Sequence, residues 1–277
     1  MAERIGSPGS PLWDPDAVPA ATVIVLRDGD TVGDTVGDTA GDDRGRGGLE
    51  VLMLRRDTDL SFAGGMWVFP GGRIDPADHI EPEDRAGVGH ADDHADDTGD
   101  AALEAAARRA AVREAAEEAG IELDERTLVR WSHWTPPPRA GHRFSTAFFC
   151  AALSDGAADV TIDDGEIREH RWMRPRDVMA RRDAGEINLA PPTFITLHQL
   201  AAHDRVDDAL AWARTAPTEH FATRIAVDGD LWIARYHGDV AYEDADDAGL
   251  DVGRPGPRHR LLMGPTWSYE RSDHGSD

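Results

Sequence analysis

The 277-residue sequence predicts an α/β protein, an α/β/α sandwich in which helices flank a mixed sheet. Three observations predict it. Short apolar runs of strand length recur at residues 21–26, 49–54, 66–69, 128–134, 144–152 and 167–173. An alanine-rich helical segment, 101–119, separates the first three from the last three. Further helical segments follow near 175–182 and 192–202.

The elements are justified in chain order. Residues 1–16 are polar and rich in Pro and Gly, and read as a loose arm. Residues 21–26 are a buried strand. A small tandem repeat at 30–41 places glycine at every fourth position beside an acid, which suits a hairpin tip; a calcium-binding repeat is the sharper alternative. Strands at 49–54 and 66–69 lead into Gly71-Gly72. Residues 76–100 carry many Asp and His and few large apolar side chains, so they are expected to loop out and to be dispensable for chemistry. Asp100 is the expected N-cap of the following helix. Leu103, Ala107, Ala110 and Ala111 would face the sheet, and Gly120 would end the helix in a left-handed conformation, with Ile121 as the apolar contact after it. Beyond residue 204 come one more helix, 204–214, and two strand-like runs, 231–236 and 258–263. The organisation expected is an arm (1–16), a core domain (17–204) and an extension packed on it (205–277).

Composition excludes some functions. A net charge of −24 opposes a nucleic-acid-binding surface, because phosphates would be repelled rather than steered. All 29 basic residues are arginine. The one cysteine, Cys150, cannot form an intramolecular disulfide and sits in an apolar strand as a small hydrophobe. No secretory or membrane segment is visible, and the last residues, Gly275-Ser276-Asp277, are no peroxisomal address, so a cytoplasmic protein is expected. A homodimer is compatible with the chain.

The most informative stretch is Arg113-Glu114-Ala115-Ala116-Glu117-Glu118-Ala119-Gly120-Ile121. Glu114, Glu117 and Glu118 fall on one side of a helix, within about 100° of one another. Like charges so placed repel. The bland reading is a solvated acidic face; the functional one is a divalent cation between them, since hard cations take carboxylate oxygens. Upstream, Phe69-Pro70-Gly71-Gly72-Arg73-Ile74-Asp75 is an apolar strand end followed by a glycine pair that lets backbone approach backbone or metal.

Together the two stretches resemble the Nudix box, whose family pattern is G-x5-E-x7-R-E-U-x-E-E-x-G-U with U apolar. The spacing departs from that pattern: Gly72 and Arg113 are 41 positions apart, where the family has 14. Counted back from Arg113, the box's first glutamate falls on Ala105. Glu104, one place off, lies about 15 Å along the helix from Glu114 and cannot join its cluster. An interrupted box resembles the peroxisomal-type coenzyme A diphosphatase branch, as do Trp131-Ser132-His133-Trp134-Thr135-Pro136, Arg143-Phe144-Ser145-Thr146-Ala147-Phe148-Phe149 and Leu189-Ala190-Pro191-Pro192-Thr193. Arg56 and Gly65 match a coenzyme A signature of related enzymes, and Ser61 stands where that signature has a second arginine.

The resemblance implies a Nudix fold and Mg²⁺-dependent hydrolysis of a nucleoside diphosphate linked to another moiety, with Mn²⁺ as a substitute. It implies metal held by Glu114, Glu117, Glu118 and the Gly71 carbonyl, with Glu117 and Glu118 the foremost ligands and Glu114 a ligand or a base. Arg113 would hold the glycine loop or a carboxylate with its planar fork. Glu166 is the candidate for a further carboxylate from a later loop, beside Asp163 and Asp164, and a solvated turn is the alternative. Arg56 and Arg143 are candidate substrate-binding residues, with salt-bridge duty the alternative for Arg143. Trp131 and Trp134 read as core packing rather than base-stacking platforms. His90 and His94 have the spacing of a helical zinc pair, inside an acidic insertion that favours no such site. Three functions remain at this level: hydrolysis of coenzyme A or an acyl derivative, the same chemistry on ADP-ribose or a dinucleotide, and a nucleotide-binding module without turnover.

Overall fold

The computed structural model describes residues 12–29, 48–60, 63–79, 95–153, 160–162, 165–244 and 251–272. The repeat at 30–41, Ser61, His90, His94, Asp163 and Asp164 lie outside them. The chain forms β1 (Val18–Asp28), β2 (Leu49–Arg56), β3 (Trp67–Val68), β4 (Gly71–Arg73), a 3-10 turn at Pro76–Asp78 and α1 (Ala95–Ala119). These are followed by β5 (Val129–Thr135), β6 (Phe144–Ala152), β7 (Ile167–Met173), α2 (Pro175–Asp183), α3 (Pro191–Leu200), α4 (Val206–Thr215) and β8 (Glu219–Ala222). Last come β9 (Arg224–Asp228), β10 (Leu231–Arg235), β11 (His259–Met263) and β12 (Trp267–Arg271).

The main sheet has the order β3-β2-β1-β6-β5-β8, with β4 also on β1 and β7 also on β2. It is mixed: β1 runs parallel to β6 and antiparallel to β2 and β4. Strand alternation divides the core into two layers. Ala21, Val23 and Val25 of β1, Leu52 and Leu54 of β2, and Ala147, Phe149 and Ala151 of β6 face α1. Ile24 and Leu26, Val51 and Met53, and Phe148 and Cys150 point to the other face, covered by α3, α4 and part of the second sheet. That second sheet is an antiparallel meander, β12-β11-β10-β9. The expected α/β/α sandwich is therefore present. Among the described residues no helix is long and apolar enough to cross a membrane.

α1 approaches the sheet closely because its buried stripe is alanine: Ala107, Ala111, Ala115 and Ala119 recur every fourth residue and are fully buried. Its end is as expected. Gly120 has φ +65° and donates to the Ala116 carbonyl, while Ile121 donates to Ala115 and is buried. Its start is not. The helix begins at Ala95, so Asp100 lies inside it rather than capping it. Asp, Thr and Gly are weak helix formers, but a helix nucleated by the alanines needs only one more backbone bond per added residue.

The sheet also continues past residue 204, where β8 pairs parallel to β5. Glu-His-Phe-Ala carries no strand signature of its own. It is held by its register, Phe221 opposite Trp134, with the two rings stacked at 4.0 Å.

Candidate active site

β1 forks, and the fork makes the site. Its first half pairs with β4 (Ala21 opposite Gly72, Thr22 opposite Gly71), and its second half pairs with β2 (Leu26 opposite Val51). Gly71 and Gly72 thereby sit beside the C-terminal half of α1. Each is needed as glycine. A Cβ on Gly71 would meet Thr22 Oγ1 at 2.5 Å and the Ala21 carbonyl at 2.6 Å. A Cβ on Gly72 would fall on the Glu114 carboxylate, which fills that space instead. Gly72→Ala is therefore expected to displace Glu114 and cut turnover at least tenfold with little change in melting temperature; an unchanged rate would show that the Glu114 position is immaterial. The Gly71 N–H donates to Glu118 Oε2 at 3.0 Å, outward from β1. In an antiparallel ladder the N–H and C=O of one residue point the same way, so the Gly71 carbonyl also faces out from β1.

Arg113 ties the cluster together. Its Nη1 donates to Glu114 Oε1 (2.8 Å) and Glu117 Oε2 (3.0 Å), and its Nη2 to the Arg73 carbonyl (2.9 Å) and Asp78 Oδ2 (3.0 Å). Nε donates to Asp78 Oδ1 at 3.2 Å. It thus grips both the glycine loop and carboxylates, and the buried Asp78 pair raises its pKa further above the ordinary arginine range.

Asp78 corrects the expectation that 76–100 loops out as a unit. It is 4% exposed, its Oδ2 accepts from the Asp75 N–H at 2.8 Å, and its carbonyl accepts from Arg109 Nε at 2.5 Å. Counted forward from Gly72, the x5 spacing of the box lands on Asp78, so the missing box carboxylate lies on the near side of the insertion, one methylene shorter. Counting back from Arg113 crosses the insertion and reaches Ala105, which misplaces it. The signal was present as Asp75-Pro76-Ala77-Asp78, an acid-Pro-x-acid turn start.

Glu118 connects to a second group. Arg56 Nη1 stands 3.7 Å from Glu118 Oε1, and its Nη2 donates to Glu166 Oε2 at 2.8 Å. The structure therefore brings together Arg56, Gly71, Arg113, Glu114, Glu117, Glu118 and Glu166. Glu117 and Glu166 are the exposed members. Arg143 is placed elsewhere. It pairs with Asp14 at 2.5 Å and donates to the Asp16 carbonyl, fastening the segment before β1. Trp131 and Trp134 are buried core residues, and Glu104 pairs with Arg108 and Arg130 on the flank of α1.

The electrostatics are unfavourable as they stand. Burial pushes Glu118 up to about 8, more than the Gly71 N–H and Arg56 offset, and it also raises Glu114. The last turn of α1 holds Glu117 and Glu118 and no basic residue, at the negative end of the helix dipole. Among the described residues no three His, Cys, Asp or Glu side chains converge as a metal site, since Glu114 and Glu117 both turn to Arg113. The donor set nonetheless fits a hard cation in its chemistry: three carboxylates lie beside an outward-facing carbonyl, one of them seated in the gap over a glycine.

Because folding raises Glu118 above its ordinary 4.5, this group favours the fold below that pH, and the contribution is lost as pH rises through about 8. Glu118→Gln, melted in EDTA, is expected to exceed the parent at pH 9 and not at pH 4. The gain should be several degrees, at roughly 2–4 °C per kcal/mol. Equal shifts at both pH values would contradict the buried charge.

The NUDIX domain family matches residues 40–191, and the chain belongs to that family. Among curated proteins it is similar to the acyl-coenzyme A diphosphatase NUDT19 of Gallus gallus, 31% identical over 132 residues, 44% of this chain and 34% of that protein. The match thus spans about a third of the relative's length. Among solved structures, a NUDIX hydrolase from Alicyclobacillus acidocaldarius aligns with TM-score 0.53 and 23% identity, covering 73% of this chain and 99% of that one, a likeness of fold.

Proposed function

We propose that this protein hydrolyses a diphosphate linkage in a nucleoside diphosphate joined to another moiety, with coenzyme A or an acyl derivative as the substrate. The observation that carries the chemistry is the Glu114–Glu117–Glu118 face of α1 set against Gly71-Gly72 and clamped through Arg113. Mg²⁺, or Mn²⁺ in its place, bound by those glutamates and the Gly71 carbonyl would screen the diphosphate and acidify a bound water. Arg113 holds Glu114 and Glu117 at one edge of the loop. The Gly71 N–H orients Glu118 as a ligand, and Glu114 is the ligand or the base. Arg56, between Glu118 and Glu166, is the cation available to a substrate phosphate. Coenzyme A as substrate is supported by the similarity to the acyl-coenzyme A diphosphatase and by Arg56 and Gly65 at the matching signature positions.

The test is a panel of coenzyme A, an acyl-coenzyme A, ADP-ribose, NADH and a dinucleoside polyphosphate with Mg²⁺, with products identified by phosphorus NMR. Cleavage of the coenzyme A diphosphate with the highest kcat/KM is expected. Preference for ADP-ribose or the dinucleotides would retain the chemistry and overturn the substrate. Turnover of none would overturn both.

A further inference from the structure

Across β1 from the glutamates, α1 borders a second concavity. The glutamates reach toward β4 and Arg56 of β2, whereas Arg108 reaches the other way, over Phe149 of β6. There, between α1, the start of β5 and the end of α4, lies an open cleft of about 530 Å³. It exists because β8 pairs only with Ser132–Thr135 of β5, leaving the preceding stretch as an uncovered sheet edge.

The cleft is lined by Arg108, Arg126, Arg130 and Arg214 and by no carboxylate. In a chain with 53 acidic and 29 basic residues, that clustering opposes the composition. Among the described residues, Glu104 pairs with Arg108 and Arg130, and Asp124 with Arg126. Arg214 has no ion pair among the described residues. Two of the cations are also held in place, with Arg108 and Arg130 lying 4.9 and 5.1 Å from the Phe149 ring centre.

We infer that this cleft binds a phosphate-bearing small molecule of mononucleotide size, at a site separate from the glutamate cluster. The guanidinium forks match phosphate oxygens in geometry and charge. Val129, half-buried at the edge of β5, supplies apolar surface for an organic body, and the volume falls within the usual range for ligand sites. The net charge of −24 disfavours a long polyanion such as RNA, whose other phosphates would face acidic surface, and leaves a small anion able to enter.

The test uses the full chain in EDTA, with adenosine monophosphate as the probe and adenosine as the control, by calorimetric titration at low salt. Saturable binding of the monophosphate, none of adenosine at equal concentration, and at least a tenfold loss in Arg126→Glu/Arg214→Glu are expected. Both arginines are exposed, so the double variant should melt with the parent; Arg214→Gln, a milder change, should lose part of the affinity. Failure of the monophosphate to bind, equal binding by adenosine, or undiminished affinity in the double variant would each overturn the site. The last outcome would place any binding at the glutamate cluster instead.

Discussion

Glu117→Gln is expected to lower kcat by about a thousandfold, ~4 kcal/mol of barrier, while the folded state is kept. The substitution removes one charge and almost no volume from a side chain that is 60% exposed. Its partner among the described residues, Arg113, retains Asp78, Glu114 and the Arg73 carbonyl. The fold therefore has little to lose, and the proposed metal shell would lose one of its three anionic ligands. Circular dichroism and melting should match the parent, and the loss should not be recovered at raised Mg²⁺ if the carboxylate is indispensable. Turnover within tenfold of the parent would remove Glu117 from the metal set and leave Glu114 and Glu118 to carry it.

Asp78→Ala should damage both stability and activity. It strips the buried partner from Arg113, a guanidinium only 24% exposed, and removes the acceptor that holds the Asp75 N–H. Breaking one side of a buried, hydrogen-bonded pair typically costs about 3 kcal/mol. With Arg113 released, Glu114 and Glu117 lose their clamp, and kcat is expected to fall ten- to a hundredfold. Asp78→Glu, the residue of the family pattern, should restore most of both. An alanine variant with parental melting and turnover would show that the ends of the insertion are as dispensable as their composition suggests.

The legible and illegible parts of this protein divide along physical lines. The helix end was readable because its signals are local: three glutamates and an arginine at fixed spacing, then a glycine whose left-handed φ few other residues tolerate. The strands of the main sheet were readable because alternation or continuous apolarity marks burial directly. β8 was not, since four residues with Glu219 and His220 gain their strand identity only from the neighbouring edge of β5. β4 was also hidden, because a glycine pair has no strand preference and pairs with β1 through register alone. Asp78 was misplaced because counting back along the chain assumes contiguity, and the insertion breaks it. Arg143 has two duties open to it in the sequence, and the structure shows the ion pair with Asp14.

The amino-acid order alone determined the sandwich of helices on a mixed sheet, the Nudix box and the carboxylate face of α1, because helix periodicity and strand alternation are short-range. Tertiary structure alone decided which groups meet that face. Arg56 and Glu166 are 110 positions apart, and Asp78 and Arg113 are 35 apart, yet each pair is joined by a hydrogen bond. Such contacts depend on how β1 forks between β2 and β4, and pairing across a sheet is a long-range choice that no local spacing encodes.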